Sequence, residues 1–175
     1  MIIKISSLFL IFFLNSAFAA HNCSCVVFRL DDIQDSWISD IQQTVMGVFR
    51  SNHIPVTAGI IANYFGDDIS MLSYILEGLA DPLWDLEIAQ HGFNHEDFTM
   101  LTYEEQLDLI QQSSTRLKAL LSINSITSFL PPYNTFNNDT IDALKALNFT
   151  QMSSQLSYDS APYPLLGNTL PENCI

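Results

Sequence analysis

Val26-Val27-Phe28-Arg29-Leu30 ends in the pair Asp31-Asp32, and the same construction returns where the apolar run 86–90 leads into His91-Gly92-Phe93-Asn94-His95. Two acids and two histidines at the ends of apolar runs describe strands that deliver side chains to one edge of a sheet. A divalent metal such as zinc accepts imidazole nitrogen and carboxylate oxygen, and a catalytic site keeps three protein ligands with one position left for water. Asp32, His91 and His95 are the candidate ligands, leaving Asp31 as a base for the water. The pattern is not His-Glu-x-x-His, because Glu96 follows the second histidine, so the zincin peptidase mechanism does not transfer.

Working outward, runs of strand character lie at 25–30, 56–62, 86–90 and 128–130, with a weaker one at 150–153. Helical periodicity fills the intervals. Ile38, Ile41, Val45 and Val48 keep a three-four-three spacing, and Leu72, Ile75, Leu76 and Leu79 mark a second segment. Thr102 and Glu105 form a capping-box signature ahead of a third helix with one face marked by Tyr103, Leu107, Ile110, Leu117 and Leu121. A fourth follows Asn138 through Ile141, Leu144 and Leu147, with Asn137 and Asn138 as turn and cap residues. Asp67-Asp68 reads as the cap of the second helix. Strands alternating with helices predict an α/β domain with a parallel sheet, either open and doubly wound or closed into a barrel. Ligands gather at the carboxyl ends of the strands in both cases, and here those ends carry Asp31-Asp32, His91 and Pro131-Pro132-Tyr133.

Lys4, the apolar stretch 8–14 and the small-x-small sequence Ala17-Phe18-Ala19 predict a signal peptide over 1–19 and a secreted chain from residue 20. The apolar stretch is short for a membrane span and no second one follows, so no stable span is expected. About 155 residues remain, which is one domain by size. Loss of Lys4 takes the formal charge from −13 to −14. No basic stripe exists to neutralise phosphates, which excludes nucleic acid as a partner, and an acidic surface favours neutral or cationic substrates. Three cysteines leave at least one without an internal partner; Cys23 and Cys25 are too close to bridge without strain, so Cys174 with one of them is the expected disulfide. Asn22-Cys23-Ser24, Asn138-Asp139-Thr140 and Asn148-Phe149-Thr150 fit the glycosylation sequon of a glycoprotein.

By itself, Asp31-Asp32 is as readily a turn or a helix cap. Together with His91-Gly92-Phe93-Asn94-His95 and Phe129-Leu130-Pro131-Pro132-Tyr133-Asn134, the pair resembles the polysaccharide deacetylase family (NodB-homology, carbohydrate esterase family 4-like). The members are metal-dependent N- and O-deacetylases on an irregular (β/α) barrel. The family's first motif is an apolar strand ending in Asp-Asp, its second is His-x-x-x-His after a strand often carrying Glu, here Glu87, and its third contains Pro-Pro-Tyr. The three occur here in that order, over most of the chain from residue 20. The resemblance implies Asp31 as catalytic base, Asp32, His91 and His95 as metal ligands, and the backbone N–H of Tyr133 as an oxyanion donor. Pro132 and Tyr133 would contact the substrate. It also implies a divalent metal, zinc first with cobalt, nickel or manganese as alternatives, and an acetylated glycan as partner.

The departures are informative. Ile33-Gln34 stands where the family has Gly-Pro, Gly92 where it has Ser or Thr after the first metal histidine, and Leu130 where an arginine precedes Pro-Pro. Arg29, two residues before Asp31 and hence on the same strand face, is a candidate substitute for that arginine. The family's Leu-x-His, whose histidine is a general acid, has no counterpart after His95, and about five βα units are legible. Both observations predict an incomplete barrel whose C-terminal part is missing, an exposed apolar surface, and amide cleavage slowed by on the order of 10²–10⁴-fold.

A second reading, of another class, is a non-catalytic metal- or carbohydrate-binding relative that lacks the acid. A glycosidase ranks last, because adjacent residues of a regular strand point to opposite faces and Asp31 and Asp32 would not flank one bond. Trp37 and Trp84 are sugar-stacking candidates, with buried packing as the default.

Overall fold

A computed structural model describes residues 27–154 and the backbone of 163–164. The signal peptide expected over 1–19, Cys23, Cys25, Cys174 and the Asn22 sequon lie outside the described residues. Six strands form one sheet in the order of the chain: β1 (Arg29–Ile33), β2 (Val56–Ile60), β3 (Leu86–Gln90), β4 (Ser128–Phe129), β5 (Gln151–Met152) and β6 (Tyr163–Pro164). The first five are parallel, and β6 returns antiparallel on β5. Helices α1 (Ser39–Ser51), α2 (Ile69–Ala80), α3 (Tyr103–Leu121) and α4 (Asn138–Ala146) make the crossovers. Sequential neighbours joined by crossovers of one hand put the helices on one face, as in a barrel wall; a doubly wound sheet would reverse its strand order.

Ala58, Ile60, Ile88 and Phe129 project from the sheet into the core beside Met46, Met71, Ile75, Ile110 and Leu117 of the helices. The opposite face is polar. There Thr57 Oγ1 donates to Glu87 Oε2 at 2.6 Å, Ser128 Oγ donates to Glu87 Oε1, and a cavity of about 430 Å³ opens between Arg29, Glu87, Leu130 and Ser153. Helix starts follow the expected caps. Thr102 and Glu105 bond reciprocally at the head of α3, Asp68 accepts from Ser70 N–H at 2.9 Å for α2, and Asn137 accepts from Thr140 N–H at 3.0 Å for α4.

Several boundaries differ from the sequence reading. β1 runs on through both aspartates, so the pair lies inside the strand instead of beyond its end. The run at 56–62 stops at Ile60 because Ala62–Tyr64 forms a helical turn, and the strands at 128–130 and 150–153 shrink to two residues each. Trp84 is buried, with its indole N–H on the Ile54 carbonyl at 2.9 Å, whereas Trp37 is 52% exposed and departs from the packing default.

The apolar stripe of α1 does not reach the core. Ile38, Ile41, Val45 and Val48 are 38–58% exposed, and the helix meets the core through Met46 and Phe49, with Gln42 also buried. Gln42 is drawn inward by the main chain, its Nε2 donating to the Asp32 carbonyl at 2.6 Å. β1 pairs only with β2 among the described residues, so the stripe flanks an open sheet edge, in line with the expected exposed apolar surface. No helix among the described residues is long and apolar enough to cross a membrane.

Candidate metal centre

Leu30 and Ile33 both pack on the helix-side core although three residues apart in a strand, which regular alternation does not allow. The extra residue is absorbed between them, where the β1–β2 register shifts and Asp32 adopts φ 63°. Aspartate tolerates left-handed backbone better than most residues, and a bulge of this kind re-aims side chains. Asp31 stays beside Arg29 while Asp32 turns toward the histidines. Asp31 and Asp32 thus escape the opposite-face alternation of a regular strand, and it is the Asp-His-His set that weighs against a glycosidase.

His91 leaves the end of β3, and His95 returns toward it through a loop, not through the helical turn that the four-residue spacing allowed. Gly92 at φ 77° and His95 at φ 65° reverse the chain. Nε2 of His91 and Nε2 of His95 lie 3.3 and 3.1 Å from Asp32 Oδ1, and the three ligand atoms all fall within 4.8 Å of one another. His91 is 3% exposed, and its Nδ1 sits 2.7 Å from the Leu130 carbonyl. A carbonyl oxygen only accepts, so Nδ1 carries the proton and Nε2 offers its lone pair to the cluster.

Two imidazole nitrogens and one carboxylate oxygen converging in this way fit a divalent ion with a coordination position to spare. Asp31 adds an independent sign of fit. Its Oδ1 is buried without a hydrogen-bond partner among the described residues, while Oδ2 pairs with Arg29 at 3.1 Å. A buried, orphaned carboxylate oxygen is costly unless a further group completes it.

The third motif closes the other side. Pro132 is buried, Tyr133 is exposed at φ 58°, and its ring stands edge-on to His95 with centroids 4.6 Å apart. Leu130 fills the space over Gly59, where a Cβ would come within 2.7 Å of its Cδ1. Arg29 reaches across from β1. Besides Asp31, it donates to Asn134 Oδ1 at 2.6 Å, to the Ser153 carbonyl at 2.6 Å and to Ser153 Oγ at 3.1 Å. Its pairing with Asp31 is the one their spacing suggested, and its bond to Asn134 also ties the first motif to the third.

Burial, then the neighbouring His91, hold His95 below its ordinary 6.5, against the opposing pull of Asp32, Glu96 and Asp31. A depressed value keeps the ring neutral, which is the ligand form. Across this window the unfolded chain binds the proton before the folded one. The contribution of His95 to stability is therefore full above 6.5 and is lost as pH falls through its lower folded value. Urea midpoints of the metal-free protein should drop on acidification below about pH 6.5; a midpoint that rises there would contradict this account.

The fold brings Asp31, Asp32, His91, His95, Pro132 and Tyr133 to one mouth. Sequence reasoning missed the Leu130 carbonyl, Asn134, Ser153 and Gln42, which hold those residues in place. A main-chain acceptor leaves no side-chain signal, and Asn134 stood inside the quoted third motif without one.

The family model for polysaccharide deacetylase matches residues 19–152. A family 4 carbohydrate esterase from Streptomyces lividans, solved with acetate, is 17% identical with a TM-score of 0.61, the match covering 74% of this chain and 62% of that one. The Streptococcus pyogenes deacetylase PplD, also with acetate, is 16% identical with a TM-score of 0.63, covering 74% and 55%. A CE4 family pseudoenzyme from Bacillus anthracis is 14% identical with a TM-score of 0.60, covering 75% and 44%. No curated protein matches the chain. At these identities the structural likeness speaks for the fold, and the chain spans less than two thirds of each of these proteins. The family model spans most of the sequence and contains the Asp-Asp pair, both histidines and the Pro-Pro-Tyr segment, and on that ground the chain belongs to the polysaccharide deacetylase family.

Proposed function

We propose that this protein is a secreted, metal-dependent hydrolase that removes acetyl groups from an N- or O-acetylated glycan, with zinc held by Asp32, His91 and His95. The observation that carries the reading is the orphaned, buried Oδ1 of Asp31 beside a converging Asp-His-His set. A divalent metal held by Asp32, His91 and His95 would lower the pKa of water toward neutrality and polarise the acetyl carbonyl. Asp31 takes the proton of the attacking water on Oδ1 and returns it to the sugar nitrogen or oxygen as the acyl bond breaks and acetate leaves, while Arg29 engages Oδ2. The main-chain N–H of Tyr133 donates to the carbonyl oxygen as it gains charge. Pro132 and the exposed Tyr133 ring contact the sugar, and the acidic chain suits neutral or cationic glycans.

Secretion is supported by the leader-like sequence at 1–19, and glycosylation by the exposure of Asn138 and Asn148 within their sequons. The test is acetate release from N-acetylated chito-oligomers and from acetylated xylan with zinc present, lost on chelation and regained with metal. Glycan binding with no acetate released from any substrate would favour the non-catalytic relative, a reading that the pseudoenzyme among the fold neighbours supports.

The Arg29 role has its own test. Arg29→Gln is expected to lower turnover by about 10–100-fold, the range for a partner that orients a site residue, with zinc content unchanged. Wild-type turnover would dispose of it.

A further inference from the structure

We infer that Glu96 is a positioning residue that presets His95 for metal by clamping the loop between the two histidines, an inference that rests on the metal-site reading above. The loop departs from its family at Gly92, and the departure is structural. Gly92 takes φ 77°, and a Cβ there would come within 3.0 Å of both Glu96 Oε2 and Pro132 Cγ. A serine or threonine would be strained in this loop, and its bracing comes from elsewhere.

The half-buried Glu96 supplies it. Oε2 accepts from the Phe93 N–H at 3.0 Å, and Oε1 accepts from the Asn94 N–H at 2.9 Å and from Asn94 Nδ2 at 3.0 Å. Successive N–H groups turned to one side form an anion-binding concavity, and here the anion is the chain's own carboxylate. The far side of the loop is pinned to the turn after β2. Asn63 N–H donates to the Phe93 carbonyl at 2.8 Å, Ala62 N–H to the Gly92 carbonyl at 3.1 Å, and Asn63 Nδ2 to Asn94 Oδ1 at 2.7 Å. Between these two holds His95 is kept at φ 65°, an unfavourable conformation for a non-glycine residue, with Nε2 directed at Asp32. The carboxylate thus maintains ligand geometry before any ion arrives.

The test uses Glu96→Ala and Glu96→Gln in the full chain, with two readouts. The first is zinc affinity by competition with a chelating dye. Glu96→Ala should weaken it by about 10–100-fold, and Glu96→Gln, which keeps one carbonyl oxygen but turns an amide donor toward an N–H, by less. The second is hydrogen exchange of the 92–95 amides in the metal-free protein, expected to quicken by about 10-fold or more in Glu96→Ala while the strands keep their protection. Wild-type exchange in the variants overturns the clamp, as does faster exchange with unchanged zinc affinity. Should the wild-type chain itself bind no zinc, the metal reading fails, and the exchange readout still decides whether Glu96 holds the loop.

Discussion

Asp31→Asn is expected to lower acetate release by about 10²–10⁴-fold while leaving zinc binding intact. The two carboxyl oxygens have different tasks. Oδ2 is already committed to Arg29, and Oδ1 is buried without a partner among the described residues. Asparagine keeps the size and the hydrogen-bonding outline of the side chain, but it has no basic oxygen with which to take a proton. It also removes the negative charge that Arg29 answers, so a modest change in stability accompanies the loss of rate. Acetate release per bound zinc is the quantity to measure. Retained turnover with stoichiometric zinc would transfer the base role to another group and undo the assignment.

His91→Ala should be more damaging still, because that ring serves two partners. Its Nε2 is one of the three proposed ligand atoms, and its Nδ1–H satisfies the Leu130 carbonyl from a position only 3% exposed. Loss of the ligand should reduce zinc affinity by more than the 10–100-fold typical of an outer partner. Loss of the donor leaves a buried carbonyl unpaired at a cost of about 1–3 kcal/mol. In wild-type protein zinc should raise the thermal midpoint by mass action, and in the variant this rise should vanish. His91→Gln separates the two effects, since its amide still has a donor for the carbonyl. Recovered metal-free stability without recovered zinc response is the expected pattern, and a zinc response equal to wild type in either variant would remove His91 from the ligand set.

How far these arrangements were legible depended on what each residue has for a neighbour. β3 matched its predicted bounds because Leu86 and Ile88 alternate with Glu87, the period of a strand with one face on the core and the other polar. α3 was legible from its capping box and a long stripe that ends in buried Ile110, Leu117 and Leu121. Arg29 was readable as a partner of Asp31 because alternation holds across those two positions. It fails one residue later, at Asp32, where no glycine announces the bulge and the left-handed turn is held by Gln42, from a different helix. The stripe on α1 illustrates the complementary limit. Periodicity marks a helix and the side that favours burial, but it does not supply the neighbour that would bury it, and here the core takes Met46 and Phe49 instead. Glu96 was visible only as a residue that spoils the peptidase motif; its work as an acceptor depends on two N–H groups whose direction only the folded loop defines.

Strand order also fixes a timetable. Each strand from β2 to β6 pairs with the one made just before it, so during synthesis a partner is always already out of the ribosome, and the sheet can be laid down in step with translation. The three proposed ligands are all out once His95 has emerged, yet the His91 tautomer is not fixed until the Leu130 carbonyl arrives, 39 residues after His91 itself. A nascent chain halted between those two points would carry all three ligands and still lack the proton arrangement that turns them into one receptor.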